Sequence, residues 1–236
     1  MSASAWFQWN GEKSTLPKYG LYVSEHPDIA VPEERIKSIV VPGRSGTLTQ
    51  VEGEGVYNDF VASVSCFALS PATIPAIAAW LKGAGEVVFG NQPNFFYKAR
   101  IVNQISFTQA MRGRSPTTCV INFRCAPYRY LPSGTKQQTI SYNGSTIDNP
   151  GTAPSEPRIR ITCAGDGTLM VHGQLVDVFN ITSFIILDAE LKEAYTSKLA
   201  NEKMAGEFPL LYPGVNPIGW TGDITGVQIL PRWRSL

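Results

Sequence analysis

An excess of charge of either sign is missing from this sequence: 20 basic side chains stand against 19 acidic ones in 236 residues, a formal net charge of +1. Without a basic field to draw phosphate from solution, tight binding of nucleic acid is not expected. Long apolar runs are missing too. Stretches such as FIIL at Phe184 to Leu187 fall far short of the roughly 20 residues a bilayer-spanning helix needs, so no membrane role is expected. The start, MSASAWFQWNGEK, has no basic segment leading into an apolar run. It reads as neither a secretory signal nor a transit peptide, and the expectation is a soluble protein made in the cytosol.

Metal-site spacing is equally scarce. Cys66, Cys119, Cys125 and Cys163 include no C-x-x-C pair, and His26 and His172 lie far from them. A structural zinc site is therefore not expected, nor is any other metal or cofactor. Cys119 and Cys125 would share one face of an unbroken strand, but six residues apart they are beyond disulfide reach. Reduced thiols are expected.

Catalytic patterns are absent as well. GRSG at Gly43 to Gly46 lacks the five-residue nucleophile elbow, which leaves Ser45 a turn residue. EGEGVY at Glu52 to Tyr57 is acidic and has no lysine in the position a phosphate-binding loop requires. Asp166, between two glycines, reads as a turn residue, and neither His26 nor His172 has a neighbour in sequence that suggests a base or a ligand. The sequence does not predict an enzyme.

What is present is turn chemistry and short strands. There are 21 glycines and 17 prolines, and aromatics make up 11% of the chain, while helical periodicity is rare. One helix is predicted in SPATIPAIAAWLKGAG, with Ser70 as cap, Pro71 in the first turn, Ile74, Ile77 and Leu81 as the apolar stripe, and Gly83 as the stop. Before it, IKSIVVPGRSGTL and VYNDFVASVSCFAL read as strands. After it come EVVF, YKARIVNQISF and TTCVINFRCAPYRY, the last with Cys119, Ile121, Phe123 and Cys125 alternating against Thr118, Val120, Asn122 and Arg124.

From Pro127 to Pro157 the composition shifts towards Pro, Ser, Thr, Gly and Asn. PRIRITCAGDGTLMVHG then reads as a hairpin that reverses at Gly165-Asp166-Gly167, with Ile159, Ile161 and Cys163 on one face and Arg158, Arg160 and Thr162 on the other. LVDVFNI and SFIILDAEL continue at the short spacing of a sandwich or barrel. AELKEAYTSKLANEKM favours a helix on propensity alone, and Pro231 in the terminal GVQILPRWR suits a strand end. The expected fold is mainly β: a sandwich or barrel-like domain with one helix over residues 1–131, and a second β-sandwich over 132–236.

Several strings resemble, in order and over nearly the whole chain, the distal tail proteins of long non-contractile-tailed bacteriophages and their prophages. They are WFQWNG near the start, VVPGRSG at Val40 to Gly46, NPGTAPSEPRIRI, GEFPLLYPGVNPIGWTG and the terminal VQILPRWR. The resemblance implies a first domain that joins its neighbours in a hexameric ring and a galectin-like second domain. It also implies partners in the tail-tube and tail-tip proteins, a place at the virion tail tip after assembly in the host cytoplasm, and DNA that only passes through the ring. It turns the ILDAELKEAY region into strands and a turn, against its helix propensity. Ring closure needs head-to-tail contact between two different patches. The candidates are Trp6, Phe7 and Trp9 at the N-terminus and Val41 and Arg44 in VVPGRSG, as β edges a neighbour could complete, with Arg112 and Arg114 as ion-pairing groups. The alternatives are a carbohydrate-binding sandwich that stacks sugars on an exposed Trp220, and a ring of the tail tube itself.

Overall fold

The structure, a computed structural model, describes residues 5–51, 53, 55–109 and 116–236; Arg112 and Arg114 lie outside the described residues. The chain divides into two compact units, Met1–Arg129 together with Leu236, and Tyr130–Ser235. In both, strands are the main regular structure.

The first unit contains β1 (Phe7–Trp9), β2 (Glu12–Lys13), β3 (Leu21–Glu25), β4 (Ile36–Val40), β5 (Thr47–Val51), β6 (Phe60–Ala68), α1 (Ile74–Trp80), β7 (Ala84–Phe89), β8 (Phe96–Ile101), β9 (Thr108–Gln109) and β10 (Thr117–Tyr130). Its main sheet runs β2-β1-β7-β8-β10-β6-β3, with β9 added to β10. The predicted alternation in TTCVINFRC is observed: Cys119, Ile121, Phe123 and Cys125 are buried, and β10 pairs with β6 in unbroken register from Thr117↔Ala68 to Cys125↔Phe60. Burial, with the charge of Asp59 adding to it, pushes the Cys125 thiol up to about 12. The predicted helix forms, preceded by a 3₁₀ turn over Pro71–Thr73. The Ser70 hydroxyl accepts the Ala72 N–H at 3.3 Å, and Ile77 and Leu81 enter the core.

Aromatic rings fill that core. Phe7 lies parallel to Trp80 with centroids 5.6 Å apart and meets Phe123 edge-on, also at 5.6 Å, and Tyr19 stacks on the Trp80 ring at 4.1 Å. The Trp80 indole N–H donates to the Trp9 carbonyl at 3.2 Å, which ties α1 to β1. These large rings pack with aliphatic side chains such as Leu21, Val64, Ile77 and Ile121 in one core cluster.

The second unit contains β11 (Gln138–Ile140), β12 (Thr146–Asn149), β13 (Arg158–Val171), β14 (Gln174–Ile181), β15 (Phe184–Asp188), β16 (Glu193–Tyr195), β17 (Met204–Gly206) and β18 (Gly214–Leu230). The strand β13 organises it, pairing with β18 along its length, with β15 at its start and with β14 at its end. Ile159, Ile161, Cys163, Leu169 and Val171 all face the core. Gly165-Asp166-Gly167 is therefore not the reversal the sequence suggested. It is a register shift inside a continuous strand, where Asp166 accepts the Asn180 N–H at 2.8 Å. The reversal lies at His172-Gly173, whose φ values of 47° and 79° match the two-residue turn that fits the twist of a hairpin.

The helix that propensity favours in AELKEAYTSKLANEKM is not formed. Asp188 Oδ1 accepts the N–H groups of Glu190 and Leu191 at 3.2 and 3.3 Å and turns the chain, so that β16 runs back along β15. Local capping and strand pairing override intrinsic preference, and the strand-and-turn expectation holds. Between β12 and β13 the Pro-rich crossing is pinned by Asn149, whose buried amide donates to the Ala153 and Leu211 carbonyls.

Candidate subunit interface

In the first unit, among the described residues, β4 and β5 pair only with each other, from Ile36↔Val51 to Val40↔Thr47. Both outer edges of this ribbon are unpaired among the described residues. Cross-strand partners share a face, so Ile36, Val40 and Val51 lie on one side with Ser38, Thr47 and Thr49. Ile39 and Leu48 lie on the other with Lys37 and Gln50. Apolar side chains thus occupy both faces, and neither face has a core beneath it. Val40 is 76% exposed, Val51 49%, Ile36 46% and Leu48 43%. Ile29 and Val31, in the segment leading to the ribbon, are also exposed. A two-stranded ribbon is marginal by itself in water, and free edges carrying exposed aliphatic residues are what native chains ordinarily cover or charge.

The stem is fixed where the blade is free. Arg35 N–H donates to the Val56 carbonyl and Asn58 N–H to the Glu33 carbonyl, each at 2.9 Å. The Arg35 Nε donates to Asn58 Oδ1 at 3.3 Å. The Tyr128 hydroxyl, from β10, donates to the Gly55 carbonyl at 2.6 Å, and its ring meets Tyr57 edge-on at 5.8 Å. At the tip the Arg44 N–H donates to the Val41 carbonyl at 3.2 Å, and Gly43 and Gly46 take φ values of 79° and 81° that other residues rarely adopt. Val41 and Arg44, both exposed, thus lie in the turn of a presented ribbon rather than on the strand the sequence suggested.

The other sequence candidates fall elsewhere. Phe7 and Trp9 are fully buried, and β1 is flanked by β2 and β7, so it offers a neighbour neither side chains nor a free edge. Their rings are drawn inward because the sheet has only one helix to complete its core. Trp6 is half-buried, with Lys13 Nζ 4.4 Å from its ring centroid. Trp220 is not an open stacking platform. It packs partly against the second core, and its backbone is paired to the Asn143 amide at 2.9 and 2.7 Å. Sequence reasoning missed Ile36, Val40, Leu48 and Val51 as exposed apolar residues of a candidate interface. The signal was there: IKSIV and TLTQV put apolar residues at both parities, which no one-sided strand does.

Among the described residues, no three His, Cys, Asp or Glu side chains lie together in a way that would hold a metal ion. Among the described residues, too, no helix is long and apolar enough to cross a membrane.

No protein-family model matches this sequence, and no curated protein matches it. Among solved structures, the chain is similar to the crystal structure of the Dit protein (gp 19.1) of SPP1, described as a paradigm of the hub adsorption apparatus in phages that infect Gram-positive bacteria. The TM-score is 0.69 at 14% sequence identity, over 95% of this chain and 97% of that one. The chain therefore shares, almost end to end, the fold of a phage distal tail hub protein.

Proposed function

We propose that this chain is a structural protein of a phage or prophage tail, a distal tail hub that assembles as a hexameric ring between the tail tube and the tail-tip proteins. The observation that carries the reading is the β4–β5 ribbon, anchored at its stem and presenting apolar side chains and two edges that no other described strand of the chain pairs with. A second copy that lays a strand or apolar surface against the ribbon would remove both liabilities at once, and a different receiving patch on that copy makes the contact head-to-tail, as a ring requires. The fold shared with a hub protein supports the same reading. In it the second unit is a galectin-like sandwich, the protein is not an enzyme, and DNA passes through the ring without being gripped. The near-neutral charge is consistent with this, because each phosphate neutralised by Lys or Arg adds salt-dependent affinity.

Light scattering over a wide concentration range, with electron micrographs of the heaviest fraction, tests the proposal. The expected species is a discrete ring with six times the 25.8 kDa chain mass. Stacked tubes would instead indicate a protein of the tail tube. A monomer at every concentration, with or without an intact ribbon, would sink the self-association reading.

A further inference from the structure

On the outer face of the second unit, opposite its core, Arg158 and Arg160 project from β13 two residues apart. Successive same-face residues of a strand are separated by about 6.8 Å, so the two guanidinium groups can converge on one small ligand. Neither has a carboxylate or hydrogen-bond partner among the described residues. Both line a cleft of about 80 Å³ together with Gln137, Gln228, Ile186 and Leu230. That volume equals a few water molecules, on the order of 30 Å³ each in the liquid, and suits a small ion.

The cleft is organised. The Arg160 guanidinium carbon lies 4.1 Å from the centroid of the Phe184 ring, which restricts the side chain before any ligand arrives. Gln137 Nε2 donates to Gln228 Oε1 at 2.7 Å, which leaves the Gln228 Nε2 hydrogens as further donors beside the two arginines. The acid closest in register is Asp188, directly across from Arg158. It is already committed: Arg232 holds both its oxygens at 2.6 and 2.9 Å and lies 3.3 Å from Glu190 as well. The remaining acid in that row, Glu193, is one strand further on. Two unpaired forked cations with a spare amide donor, walled by Ile186 and Leu230, match the charge and lone-pair geometry of an oxyanion.

We propose that the Arg158–Arg160 cleft is an oxyanion-binding site, which takes a carboxylate of an acidic segment or a free phosphate. The inference does not rest on the tail-hub reading, since it needs neither a ring nor the β4–β5 ribbon.

Calorimetric titration of the full chain at fixed ionic strength, with sodium phosphate in one arm and a hexaglutamate peptide in the other, provides the test. Saturable binding is expected in at least one arm, and the tighter arm identifies the source of the anion. Arg158→Gln and Arg160→Gln should each weaken it by about tenfold, the scale of losing one charge-assisted contact. Arg160→Lys, which keeps the charge but loses the fork, should fall between Arg160→Gln and the native chain. Lys82→Gln, which removes an exposed charge from the first unit, should leave it unchanged. Circular dichroism confirms that each variant is folded. No saturable heat in either arm overturns the proposal. So does an equal loss in Lys82→Gln, which would mean diffuse attraction to net charge rather than a site.

Discussion

The Tyr128 hydroxyl donates to the Gly55 carbonyl at 2.6 Å and so ties the stem of the β4–β5 ribbon to the longest strand of the first unit. The bond is partly buried and joins residues 73 positions apart. It thus constrains a long excursion of chain, not a local turn. Tyr128→Phe keeps the ring packed against Tyr57 and removes only the donor, at a cost of about 1 kcal/mol. The expected readout is local. Trypsin cleavage after Arg35, Lys37 and Arg44 should accelerate several-fold relative to cleavage in the second unit, while the overall thermal midpoint falls by only a few degrees. Unchanged cleavage rates would mean that the backbone bonds at Arg35 and Asn58 hold the stem unaided.

Exposure of Val40 and Leu48 separates folding from association. Neither side chain is buried in its own chain, so Val40→Asp combined with Leu48→Asp should leave the stability of the monomer within about 0.5 kcal/mol of the native value. If a neighbour covers the ribbon, the same pair of charges would be buried unpaired in the assembly and would abolish it. Mass by light scattering and thermal unfolding, measured on one preparation, give the two quantities. Loss of both together would show that the ribbon supports the monomer fold. Loss of neither would remove it from the interface.

The Asp188–Arg232 pair gives the second unit a pH signature. Burial alone would raise the Asp188 carboxyl, but the bidentate Arg232 fork, with the N–H groups of Leu191 and Glu190, holds it below its ordinary value of 3.8. The folded carboxyl binds its proton less readily than the unfolded one. This contribution to stability is therefore fully present above the unfolded value and is lost as pH falls through the lower folded one. Denaturant midpoints measured from pH 6 downward should show a drop below about pH 4 that is absent in Asp188→Asn. That variant should be the less stable of the two at neutral pH, because it leaves the half-buried Arg232 poorly paired. Parallel curves for the two proteins would remove Asp188 as the source.

Much of this architecture is legible in the sequence where a local rule and the tertiary fold agree. The strict alternation from Thr118 to Cys125 gives β10, and the Ser70 cap with its Ile77 stripe gives α1. The failures have a common physical origin: a non-local partner decides the outcome. Gly165-Asp166-Gly167 has the composition of a turn, but β18 and β14 on either side carry the strand through it. Ala189 to Met204 has helix propensity, yet Asp188 caps a turn that propensity does not register. Phe7 and Trp9 near a chain end look available, but a sheet with a single helix needs their volume inside. The ribbon is half legible: VVPGRSG reads as a β edge, whereas the mixed parity of the flanking strands implies an exposed apolar surface only where neither face has a core beneath it, and that is decided by the tertiary fold.

The close passage of the last residues of the second unit against its first turn offers a test by added volume. A Cβ on Gly134 would lie 2.2 Å from the backbone nitrogen of Trp233 and 3.0 Å from its Cβ. Neither atom is the end of a flexible side chain. Leu131 N–H donates to the Trp233 carbonyl at 3.0 Å and Arg232 N–H to the Gly134 carbonyl at 2.9 Å, so the two segments cannot separate without breaking bonds on both sides. Gly134→Ala should therefore destabilise the second unit by about 2 kcal/mol or more, at the upper end of overpacking costs. Gly226→Ala, on β18 in the same unit, is the matched control. Its added Cβ meets nothing closer than 3.9 Å and its φ is not positive, so the change should be close to neutral. The midpoint of urea unfolding for the two variants decides the matter. A larger loss for Gly226→Ala than for Gly134→Ala would mean that the C-terminal segment yields easily, and that its hydrogen bonds to the Gly134 turn contribute little to holding the unit closed.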